Sequence, residues 1–172
     1  RIYYWLFNQF GVPNSAPIGA DMFFETYNAF VHIDIKTAKL NNPSDYKGRI
    51  PLGANQTSYK VENINFDVHL PTRYSYENKI CLTYLINIIY NIESDNIDIK
   101  AIILISVPNG ELSKIYGDSI INAGKRGYNK GGFRYVYSSK PYFATIKNSS
   151  RIRIIFVSDD IKENVNKIIG LS

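Results

Sequence analysis

Three residues in one short stretch have side chains that could do chemistry together. Asp21 opens an apolar segment, and thirteen positions after it Asp34 stands two residues before Lys36 at the end of a second apolar segment. The two segments alternate apolar and polar residues and meet at Tyr27-Asn28, where Asn tolerates the left-handed backbone a hairpin turn needs. In a strand, side chains at i and i+2 share a face, so His32, Asp34 and Lys36 point one way while Val31, Ile33 and Ile35 point the other. Two carboxylates and an ammonium at one end of a sheet are costly to desolvate unless they bind a metal or one another. Carboxylates are hard oxygen ligands, and Mg²⁺ is usually held by one or two of them, with water and substrate phosphate completing its shell. Asp21 and Asp34 would supply those ligands, and Lys36 would orient an attacking water or neutralise developing charge. The chemistry indicated is metal-assisted hydrolysis of a nucleic-acid backbone.

Asp21 followed by Asp34-Ile35-Lys36 on the adjacent strand resembles the bipartite active-site pattern of the PD-(D/E)xK nuclease superfamily. Ala20 precedes Asp21 where the pattern has proline, a variation the family commonly shows. The motif itself spans about a tenth of the chain and is short. The resemblance, strongest to type II restriction endonucleases, implies a restriction-endonuclease-like core. It also implies a Mg²⁺ cofactor and sequence-specific cleavage of double-stranded DNA at a short palindrome. A homodimer in a bacterial cytoplasm follows on the same grounds, since two-fold protein symmetry matches two-fold site symmetry. A junction-resolving or repair nuclease would use the same residues.

The same stretch admits plainer readings. A hairpin ending in a surface Asp and Lys is ordinary, and cross-strand ion pairs at sheet edges stabilise weakly. The chain would then be a non-catalytic nucleic-acid-binding module, or an aromatic-rich β protein that binds sugars or another protein. Glu25 reads as solvated, with a further metal ligand as its alternative, and His32 reads as a hydrogen-bonded structural residue rather than a base.

Composition narrows the partner. The formal net charge is +5 and the pI about 9.2, which tilts toward an anionic partner without establishing one. Heavy use of Ile, Asn, Lys and Tyr fits AT-rich codons, so abundant asparagine is not by itself a binding signature. The single cysteine, Cys81, excludes an internal disulfide framework and a cysteine-based zinc site, suits a reducing cytoplasm, and lies in an apolar strand pattern as an inert buried thiol. No run of about eighteen uncharged apolar residues marks a membrane span, and no leader peptide is recognisable. The first residue is Arg1 rather than Met, which leaves room for a preceding portion.

Two further stretches carry binding chemistry. The long loop after Lys36 runs into Asn55, Gln56, Thr57 and Ser58, whose amides and hydroxyls suit base edges or phosphates; a solvated turn is the plain alternative. Several restriction nucleases carry a similar stretch after the acid-x-lysine. Residues 124–135 hold Lys125, Arg126, Lys130 and Arg134 among four glycines, with Tyr128 free to stack. This is a phosphate-gripping composition, and it lacks the order of a Walker A loop.

The elements that must position these residues read as follows. Residues 2–10 form a buried helix stopped by Gly11, with Trp5 in the core. Strands are expected at Val61–Leu70, Ile80–Ile92, Ile99–Val107, Phe133–Tyr137 and Arg151–Val157, the second and third paired as a central hairpin across Glu93-Ser94-Asp95-Asn96. Helical spacing is expected over 111–123 and over Ile161–Ile169, the latter capped by Ser158-Asp159-Asp160 and stopped by Gly170. Its apolar stripe would pack on the sheet or on a second subunit. With no repeat and no linker, residues 1–172 read as a single domain, α+β or α/β, with a mixed central sheet flanked by helices.

Overall fold

The computed structural model describes residues 2–11, 21–52, 69–70, 78–107, 109–111, 121–123, 133–135 and 151–170. Their centre is β2 (Ala29–Lys39), flanked by β1 (Met22–Glu25) and β5 (Ile80–Glu93) in a five-stranded sheet. The sheet is completed by β6 (Asn96–Val107) and β10 (Ile152–Val157), in the order β1-β2-β5-β6-β10. The β2–β5 pair is parallel and the other three are antiparallel, so the sheet is mixed, as expected.

The β1–β2 hairpin turns at Tyr27-Asn28, closed by the Thr26 N–H donating to the Ala29 carbonyl at 2.8 Å. Neither turn residue has positive φ. The Thr26 hydroxyl instead braces the turn, donating to the Ala29 carbonyl and accepting the Ala29 N–H. The left-handed turn belongs to the central β5–β6 hairpin, where Ser94 (φ 48°) and Asp95 (φ 66°) show the paired positive φ of a tight two-residue connection.

Two clusters cover opposite faces of this sheet. On one, helix α1 (Ile2–Phe10) sets Leu6 against Met22, Phe24 and Ile33, with Val31 and Ile35 alongside. The expectation of a fully buried helix is corrected here. A helix resting on one side of a sheet buries one stripe, Ile2 and Leu6 at i and i+4, while Tyr4 and Trp5 are 74% and 59% exposed. On the other face, Leu85 and Ile89 of β5 and Ala101, Ile103 and Ile105 of β6 pack beneath Tyr46, Ile50, Ile161 and Ile169. The C-terminal stripe therefore packs within the chain's own core. Cys81 is buried and forms no disulfide.

The C-terminal segment differs from one continuous helix. Residues Lys162–Asn164 form a 3₁₀ turn that leads into α2 (Val165–Ile169), and neither start has a side-chain cap. Asp160 is engaged elsewhere: Lys100, itself nearly buried, lies 2.6 Å from both Asp160 and Asp98. Those carboxylates hold its pKa above the ordinary lysine value, the bond to Asp160 contributing most. The predicted helix over 111–123 is corrected at its ends alone: Glu111 belongs to strand β7 (Gly110–Glu111), paired with β4 (His69–Leu70), and Ile121–Ala123 is strand β8, while residues 112–120 lie outside the described residues. β8 pairs with β9 (Phe133–Tyr135), which pairs with β3 (Ile50–Leu52). Most of the predicted strand 61–70 lies outside the described residues. Among the described residues no helix is long and apolar enough to cross a membrane.

Gly170 ends α2 with φ 80°, and the Ile169 carbonyl accepts the Gly48 N–H at 2.6 Å, docking the C-terminus on the loop that follows β2. A Cβ at position 170 would lie 2.6 Å from the Gly48 nitrogen and 2.9 Å from its Cα. Gly170→Ala is therefore expected to destabilise the fold by about 1–3 kcal/mol, read as a lower midpoint in urea unfolding with an unchanged slope.

Candidate active site

β2 presents its side chains with the strict alternation of an extended strand. Ile33 faces the α1 cluster, and His32, Asp34 and Lys36 face the opposite way, as the sequence predicts. One step past the Met22↔Ile33 pair, Asp21 comes opposite Asp34. Its Oδ2 accepts the Ile35 backbone N–H at 2.7 Å, a donor of β2 that β1 is too short to pair. Asp21 is exposed, whereas Asp34 is 5% exposed, and the Lys36 Nζ lies 2.8 Å from the Asp34 Oδ2. The three residues singled out in the sequence thus come together.

The sequence reading missed one participant. The Tyr3 side chain of α1 stands near Asp21, and its pKa is pushed up to about 12 by partial desolvation first, then by Asp21, then by the negative charge of Asp34. Its phenol therefore stays neutral beside the carboxylate. The all-round apolar pattern of residues 2–10 concealed it among core aromatics.

His32 sits on the same face but is 4% exposed, with its ring centroid 5.1 Å from that of Phe23. Burial pushes its pKa down to about 4, so the imidazole is neutral near pH 7. Glu25 lies at the far end of β1 and pairs with Lys79, whose ammonium also stands 5.4 Å from the Phe30 ring centroid. It is held there, away from the acid pair. Asn55, Gln56, Thr57, Ser58, Lys125, Arg126, Tyr128 and Lys130 lie outside the described residues, and Arg134 is placed by its backbone alone, in β9 opposite Pro51 and Asn122.

The donor set is two carboxylates with an ammonium already at one of them. Among the described residues no group of three or more His, Cys, Asp and Glu side chains gathers. A ligand set of this kind fits Mg²⁺, which keeps several waters and takes one or two carboxylates with phosphate oxygens, better than a metal that needs an all-protein cage.

Comparisons with known proteins bear on the same region. The sequence family described as the N-terminal domain of the type II restriction enzyme MwoI matches residues 1–96, and the one described as its central domain matches 99–157. The two matches meet at the β5–β6 turn, so one sheet draws strands from both. Among solved structures, the restriction endonuclease BglI bound to its DNA recognition sequence superposes with a TM-score of 0.52 at 17% identity, over 82% of this chain and 62% of that one. Tetrameric SfiI bound to cognate DNA superposes with a TM-score of 0.52 at 14% identity, over 86% of this chain and 66% of that one. The chain thus spans a little under two thirds of the length of each, and at these identities the likeness is one of fold. No curated protein matches the chain.

A buried neutral imidazole makes stability depend on pH. With its folded pKa lowered from 6.5 to about 4, the contribution of His32 is complete above pH 6.5 and is lost as pH falls toward 4. At about 1.4 kcal/mol per pH unit the loss approaches about 3 kcal/mol. Denaturant unfolding between pH 7 and 5 is expected to show this slope in the wild type and a flatter one in His32→Phe; equal slopes would assign the acid sensitivity to other groups.

Proposed function

The chain belongs to the MwoI family of type II restriction enzymes, and on that basis we propose that it is a Mg²⁺-dependent, site-specific endonuclease of double-stranded DNA. The observation that carries the reading is the meeting of Asp21, Asp34 and Lys36 at the end of β1, with the ammonium 2.8 Å from the Asp34 carboxylate. BglI and SfiI are DNA-bound in their structures, and duplex DNA is the partner we assign to this chain.

Asp21 and Asp34 would hold the divalent ion, which when bound supplies charge stabilisation at a phosphodiester and a more acidic attacking water. The chain's own groups do the positioning. The Ile35 N–H fixes the Asp21 carboxylate, with the neutral Tyr3 phenol nearby. Lys36, a donor only, presents its ammonium to a phosphate oxygen or to the attacking water and offsets the charge that builds up there. His32, neutral and buried, shapes this face without exchanging protons near pH 7.

Recognition rests on the two stretches read in the sequence. Asn55, Gln56, Thr57 and Ser58 suit base edges, and Lys125, Arg126, Tyr128, Lys130 and Arg134 suit the phosphate backbone. We read residues 1–172 as one nuclease domain that works as a homodimer on a short palindrome in the bacterial cytoplasm.

Incubation with plasmid and phage DNA, in Mg²⁺ and in EDTA, is expected to give discrete fragments in Mg²⁺ alone. A smear would keep the active site and remove site specificity; intact DNA in both lanes would overturn the nuclease reading for this chain. Asp34→Ala is expected to lower cleavage about a thousandfold or more while gel-shift binding remains measurable, and full activity in that variant would remove Asp34 from the mechanism.

A further inference from the structure

The side chain of Asn87 is an anomaly on the face that carries the site. The residue is 0% exposed, and among the described residues neither its Nδ2 nor its Oδ1 has a hydrogen-bond partner. A primary amide buried in this way costs stability, and an apolar side chain of similar size would remove the cost. Its neighbours on β5 at i±2 are Leu85 and Ile89, and its partner across β6 is Ile103, all three in the apolar core. On the other side, in the parallel β2–β5 register, its partner is Lys36. Paired strands lie about 4.8 Å apart, so the amide stands beside the root of the lysine whose ammonium meets Asp34.

That ammonium depends on an acceptor that has a second claim on it. It lies against the Asp34 Oδ2, one of the oxygens a divalent cation would take. When a cation holds Asp34, the ammonium is displaced or repelled and needs a new acceptor on the same partly buried face. Among the described residues, the amide oxygen of Asn87 is an uncommitted acceptor in register with Lys36.

We propose that Asn87 is a positioning residue for Lys36: its amide oxygen accepts the ammonium once a metal ion occupies Asp34, and keeps it directed at the reacting phosphate. This rests on the nuclease reading above and adds to it a residue outside the acid-x-lysine motif. The step is a transfer of one hydrogen bond, with no covalent change.

Two variants test it, Asn87→Leu, which removes the acceptor, and Asn87→Asp, which keeps one. Three measurements apply to each: single-turnover cleavage in Mg²⁺, DNA affinity in EDTA, and the Mg²⁺ concentration at half-maximal thermal shift without DNA. Asn87→Leu is expected to cleave about a hundredfold more slowly, to bind DNA within about twofold of wild type, and to need several-fold more Mg²⁺ for its thermal shift. Asn87→Asp is expected to stay within about tenfold of the wild-type rate. Wild-type rate and Mg²⁺ midpoint in Asn87→Leu would overturn the proposal. So would equal losses in both variants, or a slower rate with an unmoved midpoint, the pattern of a packing defect. If Asn87→Leu does not fold, Asn87→Val is read in its place. A wild-type chain that neither cleaves nor responds to Mg²⁺ would defeat the nuclease reading itself, whereas a cleaving wild type with an indifferent Asn87→Leu would defeat only this inference.

Discussion

The parallel pairing of β2 with β5 constrains everything around it. Eleven consecutive residue pairs, from Ala29↔Ile80 to Lys39↔Tyr90, lock β2 in one register, and the alternation of side chains then has no freedom. Ile33 faces the α1 cluster with Val31 and Ile35 beside it, while Asp34 and Lys36 go to the other side. A slip of one residue would exchange the two sets, burying a carboxylate against Leu6 and placing isoleucines where the acids belong. The apolar side chains of β2 thus hold the polar ones in place, and core packing and site geometry share one energetic cause.

Such a strand must carry charge without water. Asp34 is nearly buried, and a buried carboxylate is tolerated where donors or cations meet it, as Lys36 does at 2.8 Å. Asp21 adds a second negative charge close by and is met by the Ile35 N–H. The donors come from two separate places: a backbone group of β2 and a lysine within the motif. Together they fix carboxylate positions that two like charges would not hold alone.

What could be read in the sequence follows from the range of the forces involved. The alternation along 29–36, the long strand from Ile80, its hairpin partner and the glycine stops are local patterns, and the structure has them all. The buried face of α1 was not local, because seven apolar residues among nine do not disclose which stripe the sheet will cover. The same holds for Asp160, whose place in a helix cap was overridden by a lysine sixty positions away. The parallel contact of β2 with β5 joins segments some forty residues apart, which no periodicity reports. Asn87 was hidden by its own kind, one asparagine among many in a chain whose composition discounts them.

The position of the site at the end of β1 follows from strand length. β1 has four residues against eleven in β2, so the β2 backbone passes beyond its neighbour with an N–H still to be satisfied at Ile35. Open backbone groups at a sheet edge invite either another strand or a polar side chain. Asp21, the residue immediately before β1, closes the gap with a carboxylate oxygen and in doing so is held next to Asp34. A longer β1 would pair that N–H with its own backbone and leave the carboxylate without its backbone donor. The shortness of one edge strand is thus what turns an ordinary hairpin into a place where two acids can receive a cation.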